Sequence, residues 1–192
     1  MGELAASGPR LVGVLALQGD FEAHAKILGS IGALAREVRV AADLDGLDAL
    51  IIPGGESTVM TLGIEREQLA GPLRKLVEDG TPVLGTCAGM IVLDREHLGV
   101  LDITARRNAF GRQLHSFEAE IELKGVGGGP VHAVFIRAPW VADRGPEVEV
   151  LGQVDDHPVA IRQRNVVAVS FHPELAGETR LHRLLLDLDG RR

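Results

Sequence analysis

A single cysteine, Cys87, lies between two glycines in the stretch 85–89 (GTCAG). The pattern Gly-x-Cys-x-Gly is typical of a strand-to-helix turn whose glycines permit the strained backbone that lifts a nucleophile above a sheet. A helix that begins at the next residue would favour a thiolate and direct backbone N–H groups at an oxyanion. A lone buried cysteine is usually a small core side chain, but this context favours a nucleophile.

His172 and Glu174 follow another apolar run, in the sequence Phe-His-Pro-Glu. A thiolate nucleophile needs a base, and the base needs an acceptor that orients its other ring nitrogen. Pro173 favours an extended conformation for His172, and residues two apart in an extended segment project from the same side. His172 and Glu174 are therefore predicted to face one site.

The turn 53–57 (PGGES) ends a third apolar run. Consecutive glycines let backbone N–H groups approach a ligand closely, so this turn is a candidate second wall of an oxyanion hole. It lacks the Gly-Lys-Ser/Thr of a phosphate-binding P-loop. Ser57 is interpreted as the cap of the following helix rather than as a nucleophile.

The remaining histidines form no recognisable metal-binding pattern. No Cys/His spacing matches a zinc site, and 155–157 (DDH) is interpreted as a turn before a strand. The histidines interpreted as structural or solvated are His24, His97, His115, His132, His157 and His182. We therefore predict no metal and no cofactor.

Alternating strand and helix patterns in the first half must position the candidate residues. Strands are predicted at 11–17, 37–40, 49–52 and 82–86, of which 11–17 and 82–86 are expected to be buried. Helices are predicted at 20–31, 67–79 and 88–95, with Asp20 as the cap of the first helix. This alternation indicates a parallel sheet with crossover helices. Ligands of such sheets bind at the carboxyl ends of the strands, where Cys87 and the turn 53–57 fall.

The second half shows the alternation of half-exposed strands. Strands are predicted at 117–123, 131–136, 148–154, 157–163 and 166–171, a flexible glycine-rich loop at 127–130, and an amphipathic helix at 178–188. The predicted fold is α/β: a doubly wound, mostly parallel, flavodoxin-like sheet with helices on both faces and an antiparallel extension. Residues 1–10 are predicted to be a loose N-terminal leader, and 11–192 a single domain.

Composition excludes several classes of function. The 192 residues carry a formal net charge of −7, and aromatic side chains make up 3%, which argues against a nucleic-acid surface or an anionic membrane as partner. One cysteine cannot form an internal disulfide, and the apolar run 11–17 is far shorter than the roughly 20 residues that span a bilayer. We expect a soluble, cytoplasmic protein.

Six stretches together resemble a known family. Gly-x-Cys-x-Gly followed by His-x-Glu is similar to the triad-type, or class I, glutamine amidotransferases. The wider pattern resembles the glutaminase subunit of pyridoxal 5′-phosphate synthase, from Leu11 to the C-terminal helix. The stretches that carry this resemblance are 13–19 (GVLALQG), 50–58 (LIIPGGEST), 85–90 (GTCAGM), 107–113 (RNAFGRQ), 133–139 (AVFIRAP) and 170–175 (SFHPEL).

The resemblance implies a role for each matching residue. Cys87 would attack the side-chain amide of L-glutamine, His172 would act as general base and acid, and Glu174 would orient His172. Backbone N–H groups of Gly55 and Ala88 would hold the oxyanion. Residues that match glutamine-binding positions are Gly55, Glu56, Ser57, Arg107, Ile136 and Arg137. Bidentate binding of a carboxylate by a guanidinium supports such a role for Arg107.

The resemblance also implies a partner. Ammonia would pass to a separate synthase subunit that forms the pyridoxal ring, and Gln18 matches a position near the active site and the subunit contact. The chain departs from the expected pattern in a short segment, 94–103, and at His115, where an acidic residue is expected. Two alternatives remain: a cysteine peptidase or related acyl hydrolase on a similar scaffold, and a non-catalytic module in which Cys87 is a redox sensor or inert.

Overall fold

The computed structural model describes residues 8–107 and 116–188. The strands in these residues are β1 (Leu11–Leu15), β2 (Leu34–Val38), β3 (Ala49–Ile52), β4 (Val83–Thr86), β5 (Ile103–Arg106), β6 (Ser116–Ile121), β7 (Val131–Ile136), β8 (Trp140–Arg144), β9 (Glu149–Val154), β10 (His157–Gln163) and β11 (Val166–Val169). The α-helices are α1 (Phe21–Ser30), α2 (Ser57–Arg66), α3 (Ala70–Glu78), α4 (Ala88–Leu93) and α5 (Arg180–Asp187), and a 3-10 turn covers Ala41–Leu44.

Seven strands form the central sheet, in the order β2-β1-β3-β4-β11-β10-β9. The first five are mutually parallel, whereas β10 and β9 are antiparallel additions at one edge. Outside this sheet, β5 pairs with β8 and β6 pairs with β7, both antiparallel. The predicted doubly wound, mostly parallel sheet with an antiparallel extension is confirmed.

Helices cover both faces because the central strands are apolar on both sides. All four residues of β3 are buried, and successive side chains of a strand project to opposite faces. Ile51 accordingly packs into one core with Leu28 of α1 and Leu185 of α5. Its neighbour Ile52 packs into the other core, with Met60 of α2.

Sequence patterns predicted the strands better than the helices. The bounds of the strands at 49–52, 131–136 and 157–163 are confirmed to the residue, but the strand predicted at 37–40 lies at 34–38. The helix predicted at 67–79 begins three residues later, as α3 (Ala70–Glu78), and the helix before it, α2 (Ser57–Arg66), was not among the predicted helices. Gln68 separates them with a left-handed φ of 55°.

Two capping predictions are corrected. Glu56, not Ser57, caps α2: its carboxylate accepts the N–H groups of Thr58 at 3.1 Å and Val59 at 3.0 Å. Ser57 is instead the buried first residue of the helix. Asp20 does precede α1, but its side chain makes no capping hydrogen bond.

Several predictions fall at the edges of the described chain. Residues 1–7 of the predicted leader, residues 108–113 of the stretch 107–113, and His115 lie outside the described residues.

The short segment 94–103 is continuous: Asp94 accepts the N–H groups of Glu96 and Ala105 and contacts His97. The predicted glycine loop is fastened by Arg180, which donates to Gly129 at 2.8 Å and to Pro130 at 2.9 Å. No helix in the described part of the chain is long and apolar enough to cross a bilayer.

Candidate active site

Four parallel strands deliver polar groups to one edge of the sheet. The segments that follow β1, β3, β4 and β11 carry Gln18, Gly55, Cys87 and His172 respectively. The strand order turns around between β1 and β3, and ligands of open α/β sheets bind at such a switch point. These residues line a common cavity of about 370 Å³, which lies within the usual range for a small-molecule site, about 300–1,000 Å³.

Cys87 occupies the sharp turn between β4 and α4. Its φ of 48° and ψ of −107° are unusual for a residue with a side chain. The turn is held by the N–H of Cys87, which donates to the carbonyl of Val169 at 2.8 Å. Cys87 is 6% exposed, and its Sγ lies 3.9 Å from the carbonyl oxygen of Ile136. The thiol therefore lies at the floor of the cavity in a strained backbone, as a nucleophile elbow requires.

His172 and Glu174 follow β11 and are both buried. The Nδ1 of His172 lies 2.6 Å from Oε1 of Glu174 and 3.5 Å from Oδ2 of Asp20. The N–H of His172 donates to the carbonyl of Val134 at 2.9 Å, which anchors the segment to β7. Because Nδ1 faces carboxylates, Nε2 of the ring is left for the sulfur of Cys87.

The electrostatics of His172 favour its charged form. Burial lowers its pKa, but hydrogen bonds with Cys87 and Glu174 and the negative charges of both groups outweigh burial and raise the pKa to about 10. The histidine is therefore an imidazolium at neutral pH. An imidazolium beside a sulfur nucleophile can serve as its proton donor.

Gly54 is required by the close approach of the turn to the catalytic pair. A Cβ at this position would clash with the ring of His172 and lie 3.3 Å from Cβ of Cys87. Its carbonyl accepts the N–H of Asp20 at 3.1 Å, so the N–H of the Gly54–Gly55 peptide points away from Asp20. Gly55 adopts a φ of 151°, which strongly favours glycine. Only a glycine pair allows this backbone beside the thiol.

The predicted substrate-binding residues share the cavity. All six of them line it: Gly55, Glu56, Ser57, Arg107, Ile136 and Arg137. Other lining residues are Gln18, Asp20, Ala88, Ile91 and Pro139. Arg107 donates to Oγ1 of Thr58 at 3.0 Å. Oε1 of Gln18 accepts the N–H of Glu56 at 2.6 Å. The role of each residue toward a ligand stays a prediction.

Within residues 8–107 and 116–188, one group of side chains could ligate a metal ion. Asp20, His172 and Glu174 each offer one atom within 4.8 Å of the others. Binding would compete directly with the short hydrogen bond between His172 and Glu174, so the same atoms serve either a metal or the catalytic pair.

Sequence reasoning missed three polar residues around the catalytic pair. Asp20 was interpreted only as a helix cap, and His24 and His182 only as structural or solvated. His24 and His182 are completely buried, and His24 contacts Glu174. Only the apolar surroundings of these residues on α1 and α5 could have suggested burial, and nothing in their spacing pointed to Glu174.

Comparison with known proteins agrees with this geometry. The family model described as "SNO glutamine amidotransferase family" matches residues 14–188. The chain belongs to the SNO glutamine amidotransferase family. A relative from Frankia alni named pyridoxal 5′-phosphate synthase subunit PdxT is 51% identical over 191 residues, covering 95% of this chain and 96% of the relative. A relative of the same name from Frankia casuarinae is 52% identical over 190 residues, covering 94% and 95%.

A solved structure shares the fold of this glutamine amidotransferase. It is described as a crystal structure of glutamine amidotransferase and superimposes with a TM-score of 0.87 at 48% identity, covering 92% of this chain and 97% of the other. The family resemblance inferred from the six stretches is therefore confirmed.

Proposed function

We propose that this amidotransferase is the glutaminase subunit of a pyridoxal 5′-phosphate synthase. It hydrolyses L-glutamine to L-glutamate and ammonia, and it supplies the ammonia to a synthase subunit that makes pyridoxal 5′-phosphate. The observation that carries this proposal is the buried series Cys87, His172 and Glu174, of which Cys87 and His172 line the cavity and Glu174 contacts His172 at 2.6 Å. Family membership and the names of the two Frankia relatives support the substrate and the partner.

Cys87 and His172 perform the chemistry in two halves. The thiolate of Cys87 attacks the side-chain amide carbon of glutamine, forming a C–S bond and an oxyanion. The imidazolium of His172 gives its proton to the amide nitrogen, the C–N bond breaks, and ammonia leaves. His172 then removes a proton from water, whose oxygen attacks the thioester and releases glutamate and the thiolate.

Glu174 keeps His172 in the productive orientation. Its Oε1 accepts from Nδ1, which directs Nε2 at the sulfur and stabilises the imidazolium. Ala88, the first residue of α4, has an N–H without an intrahelical acceptor. Together with the N–H of Gly55, it would hold the oxyanion.

Arg107 is the proposed clamp for the α-carboxylate of glutamine. It lies in the cavity wall and is exposed. Its guanidinium can therefore exchange the hydroxyl of Thr58 for a carboxylate at little cost in free energy. The carboxylate of Glu56 is occupied in capping α2. Glu56 and Ser57 would therefore shape the cavity rather than lead the binding. Arg137 and Ile136 would border the opposite wall.

The Gly54–Gly55 peptide is the proposed point of control by the partner. Glycine changes its backbone conformation at little cost. In the present orientation the N–H of Asp20 donates to the carbonyl of Gly54, and the side chain of Gln18 accepts the N–H of Glu56 next to this peptide. Docking of the synthase subunit near Gln18 would complete the oxyanion hole, so that glutamine is not wasted in the free subunit. A reduced thiol is needed throughout, which agrees with a cytoplasmic location.

The test is ammonia release from L-glutamine by the purified protein, with and without the cognate synthase subunit. We expect release that rises with the partner and disappears in Cys87→Ala. Circular dichroism and co-sedimentation with the synthase should show that this variant remains folded and bound. Equal release with and without partner would discard the control at Gly54–Gly55, whereas full activity of Cys87→Ala would refute the glutaminase itself.

A further inference from the structure

A buried chain of polar side chains continues behind Glu174, on the side away from the cavity. Nε2 of His24 lies 3.4 Å from Oε2 of Glu174 and 3.1 Å from Oγ1 of Thr86. On the other side of its ring, Nδ1 lies 2.9 Å from Nε2 of His182. The side chains of His24 and Glu174 are both 0% exposed, so no solvent can replace these contacts.

Glu174 needs a donor at its second oxygen. Oε1 accepts from His172, but Oε2 has no hydrogen bond with the described residues. A buried carboxylate oxygen without a donor is costly. His24 presents a ring nitrogen to this oxygen at 3.4 Å, and a rotation of either side chain would align an N–H of the ring with it.

The position of the proton on His24 follows from its neighbours. A hydrogen bond to an ionised acceptor is about twice as strong as one between neutral groups, so the proton belongs on Nε2, facing Glu174. Nδ1 is then an acceptor and takes the proton of Nε2 of His182. The chain of donors runs from His182 through His24 to Glu174.

Both histidines are neutral in this arrangement. Burial, followed by the charges of His182 and His172, lowers the pKa of His24 well below its usual range. Burial lowers the pKa of His182 to about 4, against a smaller raising effect of the Glu178 backbone. A neutral donor satisfies Oε2 without cancelling the negative charge that His172 needs.

We infer that His24 is a positioning residue: its neutral imidazole donates from Nε2 to Oε2 of Glu174 and fixes the carboxylate against His172, while His182 fixes the tautomer of His24. The inference rests on the proposed glutaminase activity. His24 does not line the cavity, so its removal should affect turnover rather than binding of glutamine. The charged or titratable groups around it are His172, Glu174, His182, Glu178 and, across His172, Asp20 and Cys87.

The test compares two substitutions of similar size in the full chain, assayed with the synthase subunit present. His24→Leu removes the donor, whereas the amide of His24→Gln can donate from nearly the same place. We expect His24→Leu to lower kcat for glutamine about tenfold, with KM changed less than about twofold, because a buried hydrogen bond to a charged group is lost. We expect His24→Gln to stay within about threefold of the parent protein.

A double-mutant cycle separates positioning from folding. If His24 acts through Glu174, His24→Leu has no further effect on kcat in a Glu174→Ala background. Leu28→Ala is the matched control, since Leu28 is buried on the same helix one turn away. It should lower Tm without changing kcat per folded molecule.

The outcomes distinguish this inference from the proposed function. Additive effects of His24→Leu and Glu174→Ala, or ¹⁵N shifts that put the His24 proton on Nδ1, would overturn the positioning role while leaving the glutaminase intact. Ammonia release that does not depend on Cys87 would overturn both. Equal values of kcat for His24→Leu and the parent protein would also refute the role.

Discussion

Two histidines in this molecule each face two carboxylates at similar distances. His172 lies 2.6 Å from Glu174 and 3.5 Å from Asp20. His132, on β7, lies 2.6 Å from Glu120 and 3.0 Å from Glu118, both on β6. The side chain of His172 is 6% exposed, whereas that of His132 is 46% exposed. The same residue types therefore occur in a buried cluster and on an open sheet.

The two clusters differ in whether the histidine keeps a ring nitrogen that no carboxylate contacts. Carboxylates occupy both nitrogens of His132, so this histidine has none left to exchange a proton with a substrate. His172 keeps its carboxylates on the Nδ1 side and leaves Nε2 to Cys87. A histidine with acidic neighbours becomes a candidate base only when burial fixes the pair and one nitrogen remains open to a reacting atom.

Removal of the carboxylate of Glu174, which orients His172, should give the largest difference in kcat between the buried and the exposed cluster. We expect Glu174→Ala to lower kcat for glutamine on the order of 10⁴-fold, because loss of the carboxylate that orients a triad histidine has an effect of this size. Glu120→Ala removes an equally short contact on β6 and should leave kcat unchanged. Steady-state ammonia release from both variants makes the comparison, and similar losses would show that the buried pair has no special role.

Loss of the sulfur should change the titration of His172 and not that of His132. We expect Cys87→Ala to lower the pKa of His172 from about 10, because a hydrogen bond and a negative charge that raise it are removed. The pKa of His172 lies above its usual 6.5, so the stability that its charge supplies is complete below about pH 6.5 and is lost as pH rises through about 10. Imidazole NMR titration measures the shift, and an unchanged pKa would contradict the effect of Cys87 on His172.

Salt should affect the exposed cluster more than the buried one. A hydrogen bond with Glu120, opposed by partial desolvation and helped by Glu118, raises the pKa of His132. Because dissolved ions screen exposed charges at a distance of about 10 Å at 0.1 M and about 3 Å at 1 M, we expect 1 M NaCl to move this pKa back toward its usual value. The pKa of His172 should respond less. NMR titrations at the two salt concentrations provide the measurement, and an equal response of both histidines would remove the distinction by burial.

Deletion of the exposed cluster should have the smallest effect. We expect His132→Gln to change Tm by less than about 2 °C and to leave glutamine turnover intact, because exposed ion pairs contribute little to stability. Differential scanning calorimetry and the ammonia assay check both statements. A large fall in Tm would mean that β6 and β7 depend on this cluster.

The catalytic series was predictable from sequence because local rules determine it. Glycines on both sides of Cys87 indicate the turn. Pro173, between His172 and Glu174, favours the extended backbone that lets both side chains face one site. In contrast, α2 was missed: Val59 and Leu62 are exposed while Met60 and Ile64 are buried, so apolar residues on both faces blur the helical period. β5 and β8 were missed because each is short and pairs only with the other, across more than 30 residues of chain.

The polar layer behind the site depends on long-range packing. His24, Thr86 and His182 come from three elements that are distant along the chain, and they meet only when α1 and α5 pack on the same face of the sheet. Asp20 likewise faces His172 because its side chain turns away from the helix it precedes. No local pattern reports such contacts.

Because the chain has a single cysteine, labelling of that cysteine can be used to count active sites. Cys87 is the single thiol in 192 residues and lines the cavity. An electrophilic reagent can therefore add to only one cysteine sulfur in each chain. Mass spectrometry of the intact protein then distinguishes labelled from unlabelled molecules. The labelled fraction gives the number of competent sites in any assembly, and protection by a bound ligand can be followed without removing background thiols.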